Sequence, residues 1–452
     1  RRGEKKLDSH LGKNLVLNIV YNILAIIVPF LTAPYLGRIL GAEQIGIYTY
    51  CYTIASYFVM FGLLGVNTYG TRTIAKIRES KEKRSIYFWE IYFMQLFTAI
   101  ASICIYLIYS LIFSNNNKIL MLIMLLYVLS AMFDVSWYCQ GTEKFTQIVI
   151  RNTIIKAIIL LSTFIFIKDG NDLIKYFILM ALSYLVGPLA LWPTILKDVN
   201  FIFPNLENIR KHLKANCVLF IPAISASVYQ IMDKIMIGAI SSKEQLAYYE
   251  YADKIINIPN VIFGAIGAVM LSRMSFVVNN NQNKVKAMIG YSMDLSFIIA
   301  SGFIFGVMGI SDELVSIYYG KSFLPTSIIL AYLSIVVLFY GWNNTLRMQY
   351  IIPQNLDMIY IKATFIGAVI NFTINSILIP RFESVGATIG TVIAQISICI
   401  VYGRYIKNEL PLKKYIYNNI PILISGGVMF AIIKFVRHFH EISLRGLVGD
   451  II

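Results

Sequence analysis

Long apolar runs separated by short polar turns dominate the hydrophobic pattern of this chain. The first two runs lie between Asn14 and Arg84 and are divided by a short turn from Gly37 to Gln44. Each run is long enough to cross a bilayer, which needs about 20 apolar residues in a helix. The stretch therefore predicts a hairpin of two membrane-spanning helices, closed by a basic loop that contains Arg72, Lys76, Arg78, Lys81, Lys83 and Arg84.

The same pattern continues along the chain and predicts thirteen spanning helices, with a fourteenth that begins near Leu444 and is cut off. We expect the natural protein to extend beyond both ends of this sequence. The predicted helices are Asn14–Leu40, Ile45–Val66, Ile86–Phe113, Ile119–Cys139, Phe145–Ile167, Leu173–Leu196, Ala215–Ile240, Ala247–Met270, Ala287–Ile310, Leu324–Met348, Met358–Ile379, Ser384–Ile406 and Tyr415–Val436.

An internal repeat relates the two halves of the chain. After a shift of 201 positions, seven residues between Gly37 and Ile54 coincide with identical residues between Gly238 and Ile255. An even number of crossings separates the two copies, so they share one orientation, as in parallel transporter repeats. We therefore predict an all-α polytopic membrane protein with two six-helix lobes, residues 1–196 and 215–406, related by a parallel pseudo-two-fold repeat. A cytoplasmic linker, residues 197–214, joins the lobes, and extra helices occupy residues 407–452.

Composition and charge support a membrane protein. The chain is 58% hydrophobic and 14% charged, with a net charge of +15, whereas soluble domains are nearer one quarter charged. Most basic residues lie in short loops, where the bias of Lys and Arg towards the cytoplasm explains them better than nucleic-acid binding does. This bias places the amino terminus in the cytoplasm. The predicted outer loops carry mostly single basic residues, and the loop with Lys434 and Arg437 is the one that disagrees with this topology.

The sequence lacks the motifs that would indicate a disulfide framework, a nucleotide-binding loop or a catalytic metal site. The five cysteines lie singly, and the sequence contains neither a GxxxxGK[ST] phosphate loop nor an HExxH motif. No histidine lies in the middle of a predicted span, and no loop is long enough for a soluble catalytic domain. These patterns predict a transporter rather than an enzyme, without a metal or organic cofactor.

Charged residues inside the spans are the candidate functional residues, because burying them in a bilayer is costly. Asp233 and Lys234 lie deep in the seventh helix, where the repeat places neutral Thr32 and Ala33 in the first lobe. Two interpretations stay open: such residues line a substrate cavity between the lobes, or they form local ion pairs and reach towards the interface. The candidates are Asp134, Lys156, Asp233, Lys234, Asp253, Lys254, Asp294, Arg347 and Lys362.

Three stretches resemble a known family. The runs APYLGRILGAEQIGIYTY, FGLLGVNTYGTRTIAKIRES and DKIMIGAISSKEQLAYYEYADKI are similar to bacterial polysaccharide repeat-unit flippases of O-antigen and capsule synthesis. These flippases belong to the multidrug/oligosaccharidyl-lipid/polysaccharide superfamily, and the resemblance covers nearly the whole chain in helix count and lobe pattern. The related lipid II flippases carry arginines in the first helix, whereas the span from Leu15 to Leu36 has none, which argues against lipid II as the substrate.

The resemblance implies transport of undecaprenyl-pyrophosphate-linked oligosaccharides from the inner to the outer leaflet of the plasma membrane, by alternating access. Its implied partners are the lipid-linked oligosaccharide, the bilayer and the polymerase and chain-length machinery, with no nucleic acid. Moving about two negative charges outward yields roughly 4–5 kcal/mol per 100 mV, and a H⁺ or Na⁺ gradient is a further energy source. The implied roles are pyrophosphate binding for Lys234, Arg347, Lys254 and Lys156, and ion coupling for Asp233 or Asp134.

Three rival functions stay open. A multidrug cation antiporter of the same superfamily needs an acidic, aromatic cavity, which the cationic candidates disfavour. A polysaccharide polymerase needs a large external loop, which the sequence lacks. A passive scaffold in polymer assembly leaves the charges within the spans without a purpose.

Overall fold

A computed structural model describes residues 2–113, 117–277 and 282–437. Every regular element in these ranges is a helix, and ten segments are long and apolar enough to cross a membrane. The prediction of an all-α polytopic membrane protein is therefore confirmed. The α-helices are α1 Arg2–Leu63, α2 Val66–Ile77, α3 Lys81–Ile112, α4 Lys118–Phe133, α5 Ser136–Gly141, α6 Phe145–Phe166, α7 Leu173–Leu189, α8 Trp192–Asp198, α9 Leu206–Ile240, α10 Lys243–Val277, α11 Gln282–Tyr318, α12 Thr326–Ser334, α13 Val336–Leu346, α14 Asp357–Ile406 and α15 Leu412–Arg437.

Helices α1 and α14 are too long for one crossing, and each is interrupted by a residue with positive φ. The breaks are at Gly41, with φ of 77°, and at Glu383, with φ of 51°. A helix of 50 residues extends about 75 Å, more than twice the thickness of a hydrocarbon core. The two halves of α14 pack against each other, because a Cβ on Gly386 would meet the backbone of Leu378 at 2.6 Å. Residues 357–406 thus form a helical hairpin.

The basic stretch after the first hairpin is partly helical rather than a loop, so that prediction was wrong in detail. Helix α2 buries Val66, Gly70 and Ile74 on one face, while Arg72 and Lys76 are exposed. The spacing of four residues between the buried positions is that of an amphipathic helix. The apolar face packs near Trp137, which a Cβ on Gly70 would meet at 2.6 Å.

Three predicted helices are interrupted in the structure. The span over 119–139 breaks at Asp134 and Val135, and the span over 173–196 breaks at Ala190 and Leu191. The span over 324–348 divides into α12 and α13 and then continues as a π-helical turn, Arg347–Ile351. The hydrophobic pattern cannot distinguish these breaks because the apolar run continues through them. The helix predicted from Leu444 lies outside the described residues.

The chain divides into two compact units, residues 1–40 with 47–224 and residues 41–46 with 225–452. The predicted linker packs into the first unit through His212. Its Nε2 lies 3.1 Å from a carboxylate oxygen of Glu90, and its Nδ1 lies 2.6 Å from the hydroxyl of Tyr69. Asn208 donates a further hydrogen bond to Glu90 over 2.7 Å. The linker is therefore a packed part of the first unit.

Helix α15 packs along α11 within the second unit. Ser301 donates a hydrogen bond to the carbonyl of Ile422 over 3.0 Å, and Asn419 donates one to Asp294 over 2.7 Å. Arg437 forms an ion pair with the buried Glu313. Polar contacts thus join the two helices from near the start of α15 to its end.

Candidate functional site

A polar cavity of about 290 Å³ lies inside the second unit. Its walls come from α9, α10, α12, α13 and α14, so residues far apart in sequence meet there. Three charged residues of α9 and α10 line the cavity, and the rest of its wall is formed by apolar, amide and hydroxyl side chains. The lining residues are Ile231, Asp233, Lys234, Tyr249, Asp253, Ile256, Asn257, Asn260, Leu333, Val336, Tyr340, Thr391 and Gln395.

The carboxylate of Asp233 is buried, with 2% of the residue exposed. It accepts hydrogen bonds from Tyr249 over 2.7 Å, Thr391 over 2.5 Å and Asn375 over 2.6 Å. The three donors are neutral and come from α10 and from both halves of the α14 hairpin. A buried carboxylate needs such donors because its desolvation is costly. The arrangement holds an acidic group in a fixed position without a cationic partner among these contacts.

Lys234 contacts carboxylates on α10 rather than its neighbour Asp233. Its Nζ lies 2.7 Å from Glu250 and 2.9 Å from Asp253. Adjacent residues on a helix point about 100° apart, which explains why Asp233 and Lys234 have different partners. Lys254 extends the network, with its Nζ 3.6 Å from Glu250 and 4.7 Å from the centre of the Tyr251 ring.

The charges of this network balance when all its groups are ionised. Lys234 and Lys254 match Glu250 and Asp253 in number, which leaves the Asp233 carboxylate as the uncompensated group beside the cavity. Buried ion pairs of this kind are strongly sensitive to loss of one partner. The cavity wall therefore carries charges of both signs, with Lys234 beside Asp233 and Asp253.

Arg347 lies apart from that network, in the π-helical turn. Its Nη2 donates to Asn344 over 3.0 Å, and its guanidinium carbon lies 5.5 Å from the centre of the Tyr360 ring. The Nε atom is buried and has no hydrogen-bond partner within the described ranges. Among the described ion pairs, none includes Arg347. Its planar group thus retains donor capacity for an anion.

Two further candidates lie in the first unit. Asp134 occupies the break between α4 and α5, where its Oδ1 accepts a hydrogen bond from the backbone of Ser136 over 2.9 Å. Lys156 is partly buried on α6. The structure therefore brings Asp233, Lys234 and Lys254 together through neighbouring contacts in the second unit, but it places Asp134 and Lys156 in a different unit.

Sequence reasoning missed Glu250, Asn375 and Thr391 as members of the site. Glu250 precedes Lys254 by four residues, a spacing that places the two side chains on one helix face. That spacing was a usable signal for Glu250. Asn375 and Thr391 carry no charge, and only the α14 hairpin brings them to Asp233. Among the described residues, no three histidine, cysteine or acidic side chains form a metal-binding group.

Comparison with protein families and known proteins gives concordant matches. The model of a family described as polysaccharide biosynthesis protein matches residues 11–275. A putative O-antigen transporter of Escherichia coli (strain K12) is 23% identical over 403 residues, which are 88% of this chain and 97% of that protein. A probable low-salt glycan biosynthesis flippase, Agl15 of Haloferax volcanii, is 24% identical over 278 residues, 59% of this chain and 57% of that protein.

Two solved structures share the fold. The lipid II flippase MurJ, in an inward closed conformation, superposes with a TM-score of 0.77 at 15% identity, over 97% of this chain and 95% of that chain. An inward-facing multidrug resistance transporter of the MATE family has a TM-score of 0.63 at 13% identity, over 91% of this chain and 99% of that chain. At these identities the likeness concerns the fold alone.

Proposed function

The chain belongs to the polysaccharide biosynthesis protein family, and on that premise we propose that it is a flippase for lipid-linked oligosaccharides. Its substrate is an undecaprenyl-pyrophosphate-linked repeat unit, moved from the inner to the outer leaflet of the bacterial plasma membrane by alternating access. The amino terminus lies in the cytoplasm, as the distribution of basic residues favours. The O-antigen transporter and glycan flippase named among the similar proteins support this assignment.

The observation that carries the proposal is the set of charged groups held within membrane-spanning helices around one cavity. Asp233, Lys234 and Asp253 line the cavity, and Glu250 forms an ion pair with Lys234. Placing ionisable groups at membrane depth is costly, and such groups in transporters belong to ion or substrate pathways. A passive scaffold has no function that requires ionisable groups at membrane depth.

We assign the substrate pyrophosphate first to Arg347. Its guanidinium has a buried, unpaired Nε and no carboxylate among its described contacts, and a planar guanidinium can bind a phosphate through two hydrogen bonds. Lys234 and Lys254 contact Glu250, so part of their charge is already compensated by a carboxylate before an anion binds. Lys156 is a further candidate for a contact from the first unit.

We assign the coupling ion to Asp233. The Oδ1 of Asn375 is buried without a hydrogen-bond partner in the described residues, and it belongs to the side chain that holds Asp233. Together with the hydroxyls of Tyr249 and Thr391, these atoms form an oxygen-rich environment, which suits H⁺ or Na⁺. Asp134 is the alternative acid, although it also caps a helix break. The membrane potential is an energy source that needs no site.

A second candidate function is multidrug cation antiport. It is favoured by the uncompensated Asp233 carboxylate beside Tyr249 and Tyr340, because an acidic and aromatic cavity suits organic cations. Transport of ethidium by the purified protein tests this alternative. The membership of the polysaccharide family favours the glycolipid.

The proposed function is tested in cells that lack the protein. Lipid-linked single repeat units are exposed to a sugar-oxidising reagent that cannot cross the membrane. We expect intact units to accumulate and to stay protected, because they are retained on the inner leaflet. Units that accumulate and are readily oxidised have already crossed, and that result would favour a polymerase or scaffold.

A further inference from the structure

Four tyrosines of the first unit form a stacked group, which we call the tyrosine cluster: Tyr48 and Tyr52 on α1, Tyr127 on α4 and Tyr184 on α7. The ring centres of Tyr52 and Tyr127 are 5.4 Å apart with planes 8° apart, and those of Tyr127 and Tyr184 are 4.3 Å apart. Tyr52 lies 5.6 Å from Tyr184 and 6.0 Å from Tyr48. Three helices thus converge on one aromatic surface.

The cluster is packed against buried aromatic residues at Tyr48 and stays partly accessible. Behind Tyr48 lie Tyr176 and Phe177, with ring centres 4.7 and 5.3 Å away. Those two residues are 7% and 0% exposed. All four cluster residues keep part of their surface accessible. Tyr48 is therefore fixed by packing against Tyr176 and Phe177, and all four cluster residues keep surface that a ligand can contact.

Packing alone does not explain why all four rings carry hydroxyls. Phenylalanine fills similar space without placing a polar group among membrane-spanning helices, where such a group needs a partner. A hydroxyl has one donor and two acceptor lone pairs, so the four phenolic groups bring hydrogen-bonding capacity that phenylalanine would not offer to a ligand.

The internal repeat supplies an independent comparison. The shift of 201 positions relates Tyr48 to Tyr249 and Tyr52 to Asp253, and both of these residues line the cavity of the second unit. The same face of the repeated helix therefore carries an ionic network in one unit and a neutral, hydroxyl-bearing aromatic surface in the other. This contrast indicates a different ligand chemistry in the first unit.

We propose that the tyrosine cluster binds the sugar rings of the lipid-linked oligosaccharide. A pyranose has faces of C–H bonds that stack on aromatic rings and a rim of hydroxyls that pair with phenolic groups. The aromatic faces and phenolic hydroxyls of the cluster match both features, whereas a pyrophosphate would find no cation there among the four side chains. This inference rests on the proposed flippase function and assigns the sugar part of the substrate to the first unit.

The test measures binding of two probes to the purified protein in lipid nanodiscs. One probe is the lipid-linked repeat unit extracted from cells that lack the protein, and the other is undecaprenyl pyrophosphate without sugar. We expect the wild type to bind the glycosylated lipid about tenfold more tightly, as two stacked rings allow. The Tyr52→Leu/Tyr127→Leu variant should lose this preference while its affinity for the sugar-free lipid stays within about twofold.

Two further variants keep the result interpretable. Tyr52→Phe/Tyr127→Phe retains the rings and the packing, so it should lose only the part of the preference that comes from hydroxyl contacts. Tyr417→Leu removes a tyrosine that is 75% exposed on α15 and should retain the full preference. If the Leu variant does not fold, an unchanged preference in the Phe variant overturns the assignment, because the proposal requires the hydroxyl contacts as well as the stacking.

The outcomes separate this inference from the proposed function. An unchanged preference in the Leu and Phe variants, or an equal loss of affinity for both probes, would overturn the sugar assignment and leave the flippase proposal intact. A wild type that binds neither probe would overturn the flippase proposal and, with it, this inference.

Discussion

Asn375 donates a hydrogen bond from its amide nitrogen to Oδ1 of Asp233 over 2.6 Å. This contact joins α14 to α9, two helices more than 100 residues apart in sequence, and it is buried on both sides. Because Asp233 also accepts hydrogen bonds from Tyr249 and Thr391, binding of a cation to its carboxylate would act on three helices at once. This position is what the proposed coupling role of Asp233 requires.

Replacement of Asp233 by asparagine tests this coupling role. Asp233→Asn keeps the size of the side chain but removes the charge and the proton-binding oxygen. We expect transport in proteoliposomes to lose its dependence on an imposed H⁺ or Na⁺ gradient. Asp312→Asn, at a side chain that is 53% exposed, is the matched control and should keep the dependence. Unchanged dependence in Asp233→Asn would remove this residue from the coupling role.

Replacement of Arg347 tests the pyrophosphate assignment. Arg347→Gln removes the charge and the paired donors, and hydrogen bonds to charged groups contribute about 1.5–3 kcal/mol each. We expect the apparent KM for the lipid-linked substrate to rise at least about tenfold, with a smaller rise in Arg347→Lys because the charge remains. Arg404→Gln, at an exposed position of α14, should leave KM unchanged. An unaltered KM in Arg347→Gln would exclude the assignment.

The network around Lys234 should behave as a coupled unit. Lys234→Met leaves Glu250 and Asp253 without their shared partner, and Asp253→Asn leaves Lys234 with Glu250 alone. We expect the double variant to be less destabilised than the sum of the single variants, with a coupling energy of about 0.5–3 kcal/mol. Thermal unfolding in detergent measures all three variants. If the destabilisations of the two single variants simply add in the double variant, the ion pair between Lys234 and Asp253 does not contribute to stability in detergent.

The close approach of Gly390 to Asn375 gives a test that leaves the site residues unchanged. A Cβ at Gly390 would clash with Oδ1 of Asn375, so Gly390→Ala must displace the side chain that holds Asp233. We expect a loss of stability of about 1–3 kcal/mol and reduced ion-dependent transport. Gly264→Ala is the control, since a Cβ there meets nothing within 4 Å. Equal behaviour of the two variants would contradict the described packing.

The spanning segments could be predicted from the sequence because a bilayer requires long apolar helices. The break at Gly41 lies inside the predicted turn from Gly37 to Gln44. The chain also leaves the helix after Ile240, as the repeat requires. Such features depend on local composition and on chain length, which are visible in one sequence.

The partners within the site could not be predicted in the same way. Asp233 and Lys234 were candidates because charged residues are costly to bury in a membrane. Their partners lie on other helices, and the sequence does not indicate which helices contact each other. Asn375 and Thr391 reach Asp233 only because α14 turns back at Glu383. The separation of Asp134 and Lys156 from the other candidates likewise follows from tertiary packing, so their assigned roles stay predictions.

The most direct test of flipping uses the purified protein in liposomes that contain a labelled lipid-linked repeat unit in both leaflets. A sugar-oxidising reagent that cannot cross the membrane is added outside, and the modified fraction is followed with time. We predict that vesicles with the protein lose their protected inner pool, whereas protein-free vesicles keep about half of the label protected. The same protected fraction in both kinds of vesicle, under an imposed ion gradient and a membrane potential, would contradict the proposal that this chain is a flippase.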